Sequence, residues 1–219
     1  MSEESPIKRW SYSSWATYND CGARFKFRYI DKLPEPPSAA MARGTDIHTI
    51  AEYWLDGKLK GPLPPKLKKL EAEFKGLKKL KPQVEAWWGV DEKWQVKQEE
   101  SWLVGKVDAH VFHENVLTVI DHKTGKIYAD KHEKQASLYA AIGAAFYPKA
   151  ESVRAEFWYL DQGTVLTWEW QPKEVKKLQK AWTERGRDVM SAKRLDARPS
   201  FYCKWCPYSK GVGGPCQKA

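Results

Sequence analysis

At 219 residues, with 37 lysines and arginines against 28 aspartates and glutamates, the chain can bury one substantial core and carries a net charge of +9 that favours a polyanionic partner. No stretch is apolar enough to span a membrane, the start through Arg9 lacks the apolar run of a secretory leader, and four cysteines in a chain this long do not make a disulfide scaffold. A membrane protein and a small secreted disulfide domain are therefore excluded, and a single domain in a reduced, cytoplasmic setting is expected.

Taken in chain order, Ser11 to Tyr18 reads as a short helix with serines available as N-caps, and Leu33-Pro-Glu-Pro-Pro as a break. Met41 to Leu55 reads as a second helix. Over Pro64 to Lys81, Leu63, Leu67, Leu70, Phe74, Leu77 and Leu80 recur at helical spacing among many lysines, which predicts an amphipathic helix with a basic outer face. Strand patterns follow at Trp94–Val104, Gly105–Phe112 and Val116–Lys123, with Glu114-Asn115 as the turn between the last two. His132–Tyr147 is an alanine-rich helix stopped by Pro148. Strands at Val153–Leu160 and Val165–Trp170 meet at Asp161-Gln-Gly, and Pro172 opens a long helix running towards Arg194.

Strands, then a helix, then strands again define an α/β fold with a mixed sheet flanked by helices. Its parts are a helical amino-terminal segment (1–92), a sheet core (93–170), and a carboxy-terminal helix with a cysteine-rich tail (171–219). Most of the twelve tryptophans read as core, while Trp15, Trp87, Trp88 and Trp205 are candidates for stacking on a ligand.

The cysteines stand as Cys21 near one end and Cys203-x2-Cys206-x9-Cys216 at the other. Four thiolates suit a tetrahedral zinc ion or an iron–sulfur cluster, and one centre holding all four would tie the two ends of the chain together. Disulfides or unrelated buried thiols are the alternatives, and the absence of secretory features counts against the first.

A second constellation concerns charge. In Val119-Ile-Asp121-His-Lys123-Thr-Gly, an apolar strand sends Asp121 and Lys123 out of the same sheet face. Pairing about the Glu114-Asn115 turn brings Asp108, of Gly105-Lys-Val-Asp108, close to Asp121. Such charges are costly to desolvate unless compensated, and a divalent cation with oxygen ligands, Mg²⁺ or Mn²⁺, compensates them. His48 and Glu52 share a helix face four residues apart, as do Gln135 and Tyr139.

The ordered set Cys21, Gly44-x3-His48-x3-Glu52, Gly105-x2-Asp108, Asp121-x-Lys123-Thr-Gly, Gln135-x3-Tyr139 and Cys203-x2-Cys206-x9-Cys216 resembles RecB-type PD-(D/E)XK nucleases with an iron–sulfur cluster. It is similar to CRISPR-associated iron–sulfur exonucleases and to related phage and bacterial exonucleases, over Tyr18 to Cys216. The resemblance implies a restriction-endonuclease-like fold and a Mg²⁺- or Mn²⁺-dependent DNA exonuclease preferring single strands, in recombination, repair or spacer acquisition. Metal ligands would be His48, Asp108, Asp121 and the backbone carbonyl of His122. Lys123 would act on water and phosphate, with Glu52 supporting the histidine helix and Gln135 and Tyr139 buttressing the site. Cys21, Cys203, Cys206 and Cys216 would hold a [4Fe–4S] cluster, with zinc as the alternative. The partners implied are DNA and, in separate chains, a recombinase, a single-strand-binding protein or CRISPR adaptation proteins; a closed oligomer is compatible. Gly22 departs from the proline often found after the first cysteine, and the gap before Cys216 is long. Beside the nuclease stands a reading as a basic DNA-binding module that does not cleave.

Overall fold

The computed structural model describes residues 5–35 and 39–218. The chain divides into two compact units, one formed by residues 38–181 and the other by the two ends, residues up to 37 and from 182.

The larger unit is built on a five-stranded sheet in the order β1-β2-β3-β4-β5: Gln83–Val90, Leu103–His113, Val116–Lys123, Ser152–Tyr159 and Thr164–Trp170. All neighbours are antiparallel except β3 and β4, which run parallel because helix α5, Ala129–Phe146, crosses between them. The mixed sheet expected from the sequence is present. Glu114 and Asn115 take left-handed backbone angles (φ 49° and 61°) and close the β2–β3 hairpin, as their turn chemistry predicts.

One face of the sheet is covered by α3, Ala39–Leu55, and by Pro65–Lys79. Ile47, Trp54, Leu67, Leu70, Phe74 and Leu77 from these segments pack on Ala109, Ile120 and Trp158 of the strands. The basic helix expected over Pro64–Lys81 is in two pieces, a 3-10 turn over Pro65–Leu70 and α4 over Glu71–Lys79, separated where Leu70 leaves helical geometry (φ −124°, ψ 40°). Both pieces still turn their leucines inward, and Leu80 is exposed. Several lysines of the basic face have partners within the chain: Lys69 donates to the Asp161 carbonyl, Lys75 pairs with Glu71, and Lys78 reaches the Trp54 carbonyl while lying over its ring.

The strand expected at Trp94–Val104 is absent over most of its length. Asp91 Oδ1 accepts the N–H groups of Lys93 (2.9 Å) and Gln95 (2.8 Å), Trp94 turns left-handed, and polar residues 97–100 stay exposed until the chain rejoins the sheet at Leu103. The first strand is instead Gln83–Val90, inside the segment expected to be helical. Its period is concealed because Glu85 is left-handed (φ 53°) in mid-strand. Val84 packs with the α3–α4 core whereas Trp88 stacks on Phe146 of α5.

In the smaller unit, α1, Tyr12–Asp20, is capped by a reciprocal Ser11–Ser14 box, and a short helix α2, Gly22–Phe25, follows Cys21. Helix α6, Pro172–Ser191, passes from the larger unit into this one; its Trp182 is buried against Trp10 and Trp15 (ring centroids 6.1 and 4.9 Å). Two 3-10 turns, Phe201–Trp205 and Lys210–Val212, shape the tail. Both ends of the chain thus share one unit, fastened by contacts such as Arg194 N–H to Tyr18 Oη at 3.1 Å. No helix among the described residues is long and apolar enough to cross a membrane.

Candidate active site and cysteine cavity

Strands β2 and β3 pair as far as Ala109 and Ile120, and the same register carried one step further sets Asp108 opposite Asp121. There the ladder opens: the Asp108 carboxylate accepts the His122 backbone N–H at 2.6 Å, taking the place of a strand partner. From α3, His48 Nδ1 lies 3.3 Å from the other Asp108 oxygen. Burial works to raise the Asp108 pKa, but the bonds from His48 and His122 prevail and hold it at about 2. Burial likewise opposes protonation of His48, and the Asp108 carboxylate overrides it and raises the imidazole pKa.

Asp121 is buried, and burial together with the charge of Asp108 raises its pKa against the opposing pull of Lys123. The Lys123 ammonium sits 2.6 Å from Asp121 and donates to Gln135 Oε1 at 2.9 Å. Gln135 returns its amide to Asp121 (3.3 Å) and to Tyr139 Oη (2.8 Å), and Tyr139 donates to the Lys106 carbonyl at 3.0 Å. The helical i, i+4 pair of α5 is thereby coupled to the strand's Asp-x-Lys. Gly105 permits this approach, since a Cβ there would stand 3.1 Å from Ile142 of α5. Gly125 (φ 85°) turns the chain sharply after Lys123, and its N–H is held by Asp161 at 2.7 Å.

The site faces a cleft of about 400 Å³ lined by Gly44, Thr45, His48, Glu52, Glu85, Lys106 and Asp108 among others. Glu52 stands on the cleft wall, 3.8 Å from the Lys58 ammonium and without a bond to His48. The His122 ring is buried and stacked on Phe74, and burial lowers its pKa to about 4, which makes it a neutral wall of the core. Glu85 and Lys106 pair across β1 and β2, where continued register sets Glu85 beside Asp108. Sequence reading missed both, because Glu85 falls in a segment expected to be helical and Lys106 in a strand read only for Asp108. His132, bonded to Tyr159 Oη behind Lys123, was missed as well.

Cys21, Cys203, Cys206 and Cys216 are all free thiols and line one small cavity in the smaller unit, with Arg24 and Arg198 at its wall. Cys21 Sγ accepts the Arg198 N–H at 3.5 Å and Cys203 Sγ the Ser200 N–H at 3.2 Å. Donors of this kind stabilise thiolates. Gly22 allows the chain to pass here: a Cβ on it would fall 1.9 Å from the Arg194 carbonyl oxygen. Among the described residues, no three histidine, cysteine, aspartate or glutamate side chains close around one point as ligands of a metal ion, in this cavity or in the cleft.

Of the four tryptophans picked out for a ligand, Trp15 and Trp88 are core residues, and Trp87 and Trp205 are exposed.

A mixed sheet that presents two opposed aspartates, with a lysine two residues after the second, defines a class of nucleases. The chain belongs to the PD-(D/E)XK nuclease superfamily, whose sequence profile matches residues 9–104 and 90–210. Two solved structures share the fold. SSO0001 is 16% identical with a TM-score of 0.51, the match covering 97% of this chain and 88% of that one. A Eubacterium rectale protein described as a "Putative exonuclease" is 9% identical with a TM-score of 0.55, covering 88% and 84%. No curated protein matches the chain.

Proposed function

We propose that the chain is a Mg²⁺- or Mn²⁺-dependent deoxyribonuclease that degrades DNA from an end and prefers single strands. The observation that carries this reading is the opposition of Asp108 and Asp121 on paired strands with the Lys123 ammonium 2.6 Å from Asp121. Burial and, beside it, repulsion by the Asp108 carboxylate push Asp121 up, while the bonds from His48 and the His122 N–H hold Asp108 low. A hard divalent cation with oxygen ligands relieves that repulsion. Asp108, Asp121, His48 and the His122 carbonyl would hold it. When bound, it would supply a hydroxide near neutral pH and neutralise phosphate charge.

The remaining roles belong to the chain's own side chains. Lys123 sets a positive charge where negative charge develops on the phosphate, an electrostatic term that commonly dominates catalysis. Gln135 fixes the ammonium and the Asp121 carboxylate relative to each other, and Tyr139 fixes Gln135. His48 orients Asp108. Glu52 lines the cleft one helical turn after His48 on α3. The fold shared with a protein described as an exonuclease supports attack from a DNA end.

In the smaller unit, Cys21, Cys203, Cys206 and Cys216 would hold a [4Fe–4S] cluster, which would fasten the two ends of the chain. The shared cavity, the N–H donors to sulfur and the two arginines support a thiolate centre. Iron and sulfide analysis with visible absorption of anaerobically purified protein separates the cluster from zinc. The nuclease reading is tested with end-labelled single- and double-stranded oligonucleotides and Mn²⁺ or Mg²⁺. Wild type should shorten them while Asp121→Ala and Lys123→Ala do not. Equal activity of all three would reject the site, and an inert wild type that binds DNA would make the protein a non-cleaving module.

A further inference from the structure

The tail that carries three of the cysteines also carries the most exposed large apolar side chains among the described residues. Phe201 is 70% exposed, Tyr202 63% and Trp205 62%. All three lie on one 3-10 turn, whereas Trp10, Trp15 and Trp182 of the same unit are buried. Scattered exposed rings need no explanation, but contiguous ones mark a contact surface.

The turn is held in shape. Ser200 Oγ accepts the Tyr202 N–H at 3.3 Å, and Cys203 Sγ accepts the Ser200 N–H in return. Phe201 and Trp205 meet edge to face at 5.0 Å, with the Lys204 ammonium 3.7 Å from the first ring and 4.0 Å from the second. A cation is thus built into the aromatic surface. From residue 198 to 218 the chain carries Arg198, Lys204, Lys210 and Lys218 and no acidic residue. An apolar protein partner would have to desolvate Lys204, at a cost; a nucleic-acid strand answers both features, bases to the rings and phosphate to the ammonium.

We infer that Phe201, Lys204 and Trp205 form a stacking platform for unpaired bases of single-stranded DNA, a binding subsite separate from the residues of the cleft. The inference rests on the nuclease reading for its choice of DNA, and it gives the single-strand preference a physical source, since paired bases present no free faces. It also differs in kind from the basic helix, where Lys69, Lys75 and Lys78 are engaged within the chain.

The test uses the full chain with Asp121→Asn, so that the strand survives, and fluorescence anisotropy with three probes: an oligothymidylate, an abasic deoxyribose-phosphate strand of equal length, and a blunt duplex. The parent protein should bind the base-bearing strand about tenfold or more tightly than the abasic one. Trp205→Ala and Phe201→Ala should each lose about 5- to 100-fold on the base-bearing strand and almost nothing on the abasic strand. Trp205→Phe should keep most of the discrimination. Phe201→Ala leaves the Cys203-x2-Cys206 span untouched, and unchanged melting and iron content separate lost stacking from a damaged tail.

Equal losses on both strands, or no loss on either, would overturn the platform. So would a dimer, seen by sedimentation, that Trp205→Ala dissociates. Cleavage by wild type is scored separately. If it cleaves and no variant alters base discrimination, the platform alone fails; if it discriminates but never cleaves, the nuclease reading alone fails.

Discussion

The two units of the chain treat reactive groups in opposite ways. In the larger unit, a two-sided hydrophobic core supports the sheet and nearly every polar group of the site is met by another residue: Asp108 by His48 and His122, Asp121 by Lys123, Lys123 by Gln135, Gln135 by Tyr139. In the smaller unit, short helices and ring pairs do the packing, and the four thiols are met by two backbone N–H groups. A site completed by its own side chains is organised before substrate arrives. A site of converging thiols draws its order from what it binds, because folding and ligand binding are then one equilibrium.

That difference is broken or sharpened most strongly by removing a charge from each side. Asp121→Asn should lower cleavage by about a thousandfold or more, the order of effect expected when a preorganised charge is lost from a reacting centre. The fold should survive. The Asp121 pKa is raised on folding, so its ionisation costs stability as pH climbs, and the neutral amide escapes that cost. Melting curves should show the variant no less stable than wild type above neutral pH without metal. Added Mn²⁺ should raise the melting temperature of wild type and leave the variant unmoved. A variant that unfolds would show that the network holds the sheet together rather than being carried by it.

The counterpart in the smaller unit is Cys206→Ser. Iron content should fall and the melting profile should lose an early transition assigned to the chain ends, while the transition of the sheet unit stays in place. One shared transition, lowered as a whole, would mean that the units fold as one.

Much of this contrast was legible in the sequence. Asp121 and Lys123 were readable as neighbours because strand alternation is strict, and Asp108 because a two-residue turn fixes the hairpin register. The Gln135–Tyr139 pair followed from helical spacing. Glu85 and Lys106 were hidden, since a left-handed residue in mid-strand breaks the alternation on which reading a strand depends. The false strand at Trp94 had the composition of a strand, and one aspartate capping a turn decided otherwise. The expectation that four cysteines spread along the chain come together rested on their number and on the family resemblance rather than on any local pattern, and all four line one cavity.

Gly22 tests how tightly the cysteine unit is built around its first thiol. A methyl group there would collide with the Arg194 carbonyl and the Leu195 backbone, neither of which can rotate away. Gly22→Ala should cost about 1–3 kcal/mol, the usual range for overpacking, and lower the melting temperature by about 2–4 °C per kcal/mol. A silent substitution would mean that this backbone crossing is loose and that the departure from proline after Cys21 has no steric cause.

The smallest effect concerns the His48–Asp108 bond and separates the two units by pH. Asp108 is held low, to about 2, so its contribution to stability is present above the ordinary carboxylate range and is lost as pH falls towards that value. His48 is raised, so its contribution is present below the ordinary imidazole range and is lost as pH rises through the folded pKa. Both shifts draw on one interaction, which is therefore strongest in the window between the two ordinary ranges, about pH 4 to 6.5. In chelator, the urea midpoint of wild type minus that of His48→Asn should peak in that window and shrink on either side. The same subtraction for Cys206→Ser should show no such peak, because among the described residues no carboxylate–imidazole pair lines the cysteine cavity. A flat His48 difference would mean that the pair is solvated enough to be worth nothing, and that Asp108 is positioned by the His122 backbone alone.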